Sequence, residues 1–191
     1  MTIVVLGDSL TSGHGIGQAA AFPAVLQTKL NAARLPYRIV NAGISGDTTA
    51  GGVRRIANAL HDQVCVLLIA LGINDGLRGI PVAQMKANLA TIIRTAQGRG
   101  IRVLLCRMEA LPIYGWDYTF SFRRAFDELA AEYQLPLVAF FLESVLGNKA
   151  LMQADCVHPN AAGASAIADR VWPYLRAELG APVAERDIAE R

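Results

Sequence analysis

The stretch Val64–Leu71, VCVLLIAL, contains no charged, amide or hydroxyl side chain. A strand with one wet face alternates apolar and polar residues; this one does not, so it reads as a strand covered on both faces. Such strands belong to parallel sheets flanked by helices. Shorter apolar runs at Ile3–Leu6, Arg38–Asn41, Ile101–Cys106 and Leu137–Ala139 supply further strands. Longer stretches with helical spacing lie between or after them: Phe22–Ala33, Thr49–Leu60, Val82–Gln97, Thr119–Tyr133 and Asn160–Leu179. Alternation of this kind predicts an α/β fold, a three-layer α/β/α sandwich. About five strands suit a flavodoxin-like parallel sheet in the order 2-1-3-4-5. The 191 residues, 53% hydrophobic and 18% charged, are expected to form a single domain over 1–180, with a flexible tail at 181–191.

Several function classes are disfavoured. The net charge is +2 and the basic residues are scattered, so no nucleic-acid partner is expected. The doublets Arg54-Arg55 and Arg123-Arg124 read as solvated helix faces. Cys65, Cys106 and Cys156 are odd in number and form no Cys-x-x-Cys, which argues against a disulfide framework. His14, His61 and His158 are far apart, so no metal is expected. No run approaches the roughly 18 apolar residues of a membrane span. No signal peptide is visible, which leaves a cytoplasmic or a processed, exported form open.

In a sheet of this type ligands bind where the strands end, so the residues just after each strand carry the function. Gly7-Asp8-Ser9-Leu10 follows the first strand, Asn41–Thr49 the second and Gly72–Gly76 the third. Arg107–Tyr118 follows the fourth, and Asp155–Pro159 precedes the last helix. Ser9 could cap a helix, Asn74-Asp75-Gly76 could be a plain turn, and Asp155–Pro159 could lead into a helix. Together they compose a hydrolase. His158 can take the Ser9 proton, and Asp155, three residues earlier, can fix the imidazole tautomer. The backbone N–H groups of Ser9 and Gly46 and the side-chain amide of Asn74 are the candidate oxyanion donors.

These blocks identify a resemblance. Gly-Asp-Ser-Leu at 7–10, Gly-Ile-Asn-Asp at 72–75 and Asp-Cys-Val-His at 155–158 resemble the marker blocks of the SGNH/GDSL hydrolase family. The stretches NAGISGDTT, LGINDGLRG, MEALPIYGWDYTFSF and MQADCVHPN are similar to its bacterial acyl-CoA thioesterase, lysophospholipase and arylesterase branch. The resemblance implies serine-esterase chemistry without metal or cofactor. It implies Ser9 as nucleophile, Asp155 and His158 as its triad partners, and Ser9, Gly46 and Asn74 as oxyanion donors. Short- to medium-chain acyl and aryl esters are the expected substrates, with thioesters and lysophospholipids open. A carbohydrate O-deacetylase and a non-catalytic lipid- or carbohydrate-binding protein are the alternatives.

Around the substrate we expect Asp8, Leu10, Asp75, Leu111, Ile113, Tyr114, Trp116 and Val157. The aromatic loop 111–118 suggests an acyl or aryl pocket. Asp8 is further expected to hydrogen-bond loop backbone. His14, where an uncharged or aromatic residue is expected, reads as a half-exposed loop histidine, or else one lining the acyl or leaving-group side. Cys156 reads as a bystander. Gly15–Ala20 fits a loose dinucleotide pattern but lies too far beyond the first strand to hold a phosphate there.

Overall fold

The computed structural model of the chain describes residues 1–61 and 63–180; the expected tail at 181–191 lies outside them. Five strands, β1 (Thr2–Gly7), β2 (Arg38–Gly43), β3 (Val64–Ala70), β4 (Arg102–Cys106) and β5 (Leu137–Val138), form one sheet in the order β2-β1-β3-β4-β5. Every pairing is parallel, as the unbroken apolar run in β3 requires. Residues Ile3–Leu6 of β1 and Val66–Ala70 of β3 are fully buried, each large side chain contributing about 1.5–3 kcal/mol by leaving water.

The helices are α1 (Ser9–Ser12), α2 (Phe22–Ala32), α3 (Thr49–Ala59), α4 (Ile73–Leu77), α5 (Val82–Gln97), α6 (Trp116–Glu132) and α7 (Ala161–Gly180). α2 packs on α7, while α3 packs on α5 and α5 on α6, giving the two outer layers. Buried residues from Ile3 to Leu175 make one continuous hydrophobic cluster. Register sets the position of the site. Gly7 at the end of β1 pairs with Gly43 of β2 and with Ala70 of β3. Three loops therefore start from one level, where the chain leaves β1 for β2 on one side and returns as β3 on the other.

Local structure departs from the sequence reading in three places. α6 starts at Trp116, one turn before Thr119, because the Thr119 N–H already donates to the Gly115 carbonyl at 3.2 Å. Asn74 lies on the short helix α4 and not in a loop. Arg55 does not join a solvated face. Its guanidinium turns inward and donates to Gly7 O at 2.9 Å, Ala42 O at 2.6 Å and Asp47 Oδ2 at 2.7 Å. The amphipathic spacing of α3 could not reveal this, since the acceptors are strand-end carbonyls distant in sequence.

The turn after β1 is capped by Asp8, not Ser9: Asp8 Oδ1 accepts the Leu10 N–H at 3.0 Å. This leaves the Ser9 hydroxyl free of capping. Asp8 is fully buried, and burial pushes its carboxyl up to about 7, against the Leu10 N–H bond, which lowers it. At the end of β2, Gly43 lies against α1. A Cβ there would sit 2.3 Å from the Ser12 nitrogen and 2.7 Å from the Thr11 carbonyl carbon.

Two outcomes are expected. Gly43→Ala must push α1 off the sheet, which costs about 1–3 kcal/mol by overpacking; a thermal midpoint equal to wild type would contradict it. Asp8 gives stability a defined pH slope. Unfolded, its carboxyl ionises near 3.8; folded, it stays neutral to about 7. The unfolded state therefore gains from ionisation first, and stability falls as pH rises from about 4 to about 7, by on the order of 3 kcal/mol. Urea unfolding across that range should show this slope in wild type and lose it in Asp8→Asn.

Candidate active site

Ser9 opens α1 directly beyond β1, and His158 reaches it from the loop before α7. His158 Nε2 lies 3.1 Å from Ser9 Oγ. His158 Nδ1 lies 2.7 Å from Asp155 Oδ2. With the proton on Nδ1 donating to the carboxylate, Nε2 is left as an acceptor for the serine hydroxyl. The Asp155 carboxyl also accepts the backbone N–H groups of Val157 at 2.9 Å and His158 at 3.0 Å. The His158 N–H, then the imidazole, then the Val157 N–H hold that carboxyl well below the usual carboxylate range. Asp155 is therefore ionised whenever the protein is folded at ordinary pH.

Asn74 comes from the end of β3 through α4. Its Nδ2 donates to Asp47 O at 2.9 Å and stands 3.4 Å from Asp8 Oδ2. Gly46 lies between two tied residues. Ser45 Oγ is 3.0 Å from Ser12 Oγ on α1, and Asp47 is held by Asn74 and Arg55. Gly46 has φ +77°, a left-handed backbone that glycine adopts without strain, and its carbonyl accepts from Arg78 at 2.8 Å. Among the described residues the N–H groups of Ser9 and Gly46 donate to no other backbone carbonyl. Behind Asn74, Asp75 is buried and accepts the Thr49 N–H at 2.9 Å and the Thr49 hydroxyl at 2.6 Å. Asn88 Nδ2 donates to the same hydroxyl at 3.0 Å. Burial pushes the Asp75 carboxyl up, and the two Thr49 bonds oppose it.

A cavity of about 480 Å³ opens beside Ser9. Leu10, Leu111, Trp116 and Val157 line it, as expected of substrate-contacting residues. Asp8 and Asp75 do not: both are buried and engaged with backbone, so they support the walls and cannot touch a ligand. Ile113 and Tyr114 also stay outside it. They lie on the 3-10 turn Pro112–Tyr114 and face solvent, and the Tyr114 hydroxyl donates to Leu77 O at 3.2 Å. The sequence reading missed Leu77, Phe140, Leu142 and Leu146, which complete the apolar wall. Phe140-Phe141-Leu142 beyond β5 was the available signal, an apolar run with no strand or helix period. Cys156 lines the cavity mouth beside His158. His14 is exposed, yet its ring rests against His158, with centroids 4.5 Å apart. Among the described residues no three His, Cys, Asp or Glu side chains cluster as metal ligands. No helix among them is long and apolar enough to cross a membrane.

A hydroxyl beside an imidazole with a carboxylate behind it is an arrangement that can carry out acyl transfer. Known proteins of similar sequence point the same way. Residues 5–166 match the model of the GDSL-like Lipase/Acylhydrolase family. Esterase TesA of Pseudomonas aeruginosa is 40% identical over 176 residues, 92% of this chain and 88% of that protein. Thioesterase 1/protease 1/lysophospholipase L1 of Escherichia coli is 36% identical over 176 residues, 92% of this chain and 83% of that protein. The crystal structure of the psychrotrophic esterase EstA from Pseudoalteromonas sp., inhibited by monoethylphosphonate, superposes with a TM-score of 0.89. It is 32% identical and spans 94% of this chain and 99% of its own. Sequence family, relatives and fold thus agree, and the chain is an enzyme of the GDSL-like lipase/acylhydrolase family.

Proposed function

We propose that the protein is a serine ester hydrolase for short- to medium-chain acyl and aryl esters, acting through an acyl-enzyme on Ser9. The observation that carries this is the continuous chain Ser9–His158–Asp155, at 3.1 and 2.7 Å, with Ser9 and His158 in the wall of an apolar cavity. His158 Nε2 takes the hydroxyl proton as Ser9 Oγ attacks the ester carbonyl. The carbonyl π pair moves onto oxygen, and the oxyanion is met by the N–H groups of Ser9 and Gly46 and by Asn74 Nδ2. Asn74 Nδ2 donates to Asp47 O at 2.9 Å and, at a longer 3.4 Å, to Asp8 Oδ2; an arriving oxyanion takes over the longer of these bonds. When the oxyanion collapses, the ester C–O bond breaks and His158 returns the proton to the departing alkoxide or phenoxide. Water then attacks the acyl-enzyme, its proton passing to His158 and from there to Ser9. Thioesters and lysophospholipids present the same carbonyl, and the names of the relatives support including them.

The cavity, about 480 Å³ and walled by Leu77, Leu111, Leu142, Leu146 and Trp116, suits an acyl chain better than a sugar. Its volume lies within the range of about 300–1,000 Å³ typical of small-molecule sites. It favours the acyl-ester reading over a carbohydrate deacetylase.

Ser9→Ala should stay folded and lose at least about a thousandfold in kcat on p-nitrophenyl butyrate. Across p-nitrophenyl acetate, butyrate, octanoate and palmitate, wild type should peak at butyrate or octanoate. A folded Ser9→Ala with wild-type rates would refute the mechanism, and a palmitate optimum would refute the assigned chain length. Asp155→Asn should keep the geometry but favour the wrong tautomer, lowering kcat by about 10³–10⁴. A loss under about tenfold would remove Asp155 from the triad.

A further inference from the structure

Asp155 holds the His158 ring at one nitrogen only, and a ring held at one point can tilt about that bond. Asp155 itself sits in the exposed run 154–157. Once Ser9 is acylated, its oxygen no longer carries the proton that Nε2 accepts, so the ring loses its other contact midway through the reaction proposed above.

A second hold lies on the face of the ring. The His14 imidazole packs against His158 at a centroid distance of 4.5 Å, with the planes inclined by 42°. His14 is fixed in turn at both ends of its peptide. Its N–H donates to Ser9 O at 3.1 Å, and its carbonyl accepts from Gln153 Nε2 at 2.7 Å. Gln153 Nε2 gives its second hydrogen to Pro159 O at 2.9 Å, and the Gln153 backbone N–H donates to His158 O at 2.8 Å. One glutamine thus binds the residue stacked on the base, the base itself and the residue after it. It joins two loops whose residues 14 and 153 are 139 positions apart. Both amide hydrogens of Gln153 are used, and neither goes to solvent.

We propose that His14 is a positioning residue: its ring braces the His158 imidazole through acylation and deacylation, and Gln153 is the strut that holds brace and base together. The inference rests on the function proposed above. The brace is a tilted ring–ring contact. It therefore needs a planar ring at position 14 and does not need that ring to be an imidazole. The ring lies outside the large apolar cavity and borders only a small cleft shared with Ser9 and His158, so its effect belongs in kcat and not in acyl-chain binding.

The test measures kcat, KM and thermal midpoint on p-nitrophenyl butyrate for wild type, His14→Ala, His14→Phe, Gln153→Leu and Ser9→Ala. His14→Ala should lower kcat by about ten- to a hundredfold, the scale of a misplaced catalytic group. KM should stay within about twofold, since ground-state binding is untouched. Its thermal midpoint should match wild type, because the side chain is exposed. His14→Phe should recover most of the rate, and Gln153→Leu should lower kcat in the same sense as His14→Ala. The proposal is overturned if His14→Ala turns over at the wild-type rate, if its defect lies in KM, or if His14→Phe is as slow as His14→Ala. An active Ser9→Ala would remove the function and the brace together. An inactive Ser9→Ala beside a full-speed His14→Ala would remove the brace alone.

Discussion

The parallel register of β1 with β2 and β3 governs the rest of this molecule. It brings Gly7, Gly43 and Ala70 to one level, so the chain segments leaving those strands have to share one edge of the sheet. Buried backbone carbonyls at such an edge need donors. Arg55 adds them for two of the three strands, donating to Ala42 O and to Gly7 O, which also accepts the Ile44 N–H at 3.1 Å, while its remaining nitrogen holds Asp47. The guanidinium that completes the sheet edge therefore also anchors the segment carrying Gly46. Fold and site share that one side chain.

What could be read from sequence follows from how local each signal is. The strands, their order and the longer helices were legible because apolar period and strand–helix alternation act within about ten to twenty residues. The residues of the candidate site stood out for a different reason. Ser9, Asn74, Asp155 and His158 stand just beyond sheet strands or just before the final helix, where the fold must gather polar groups. The assignments that failed needed distant partners. Arg55 has the pattern of a surface residue on α3, and only the carbonyls of β1 and β2 turn it inward. Ile113 and Tyr114 share an aromatic loop with Trp116, but the start of α6 at Trp116 separates them: Trp116 lines the cavity, and the preceding 3-10 turn leaves the Ile113 and Tyr114 side chains exposed. Leu142 and Leu146 escaped notice because the segment after β5 has no regular period to mark which face is covered.

Burial separates the carboxylates by task. Asp155 is exposed, yet two backbone N–H groups and an imidazole keep it charged. Asp8 and Asp75 are buried, and water exclusion raises both. In the mechanism proposed above, a fixed anion at Asp155 stabilises the imidazolium that forms as Ser9 attacks. A fixed anion at Asp8, 3.4 Å from the Asn74 amide, would instead oppose a developing oxyanion. Holding that carboxyl neutral up to about pH 7 keeps unwanted charge away from the donors. The same residue types thus serve opposite electrostatic needs a few residues apart in space, with solvent access as the variable.

The two halves of the site are also held differently, and the chemistry accounts for the difference. Asn74 stands on a buried polar network in which Asp75, Thr49 and Asn88 satisfy one another, and Asp47 is held by Arg55. A network closed on itself in a dry setting is stiff, and donors that meet developing charge are effective only if they need not reorganise. The base side rests on an exposed loop tied down at a few points, chiefly through Gln153. In the proposed mechanism that side passes a leaving group outward and a water inward during each turnover, so it cannot be sealed. The proposed brace, a ring laid against the imidazole from the loop that carries Ser9, would limit tilt without closing the path to solvent. Rigid donors on one side and a braced but accessible base on the other are what the two acyl transfers proposed for Ser9 would require.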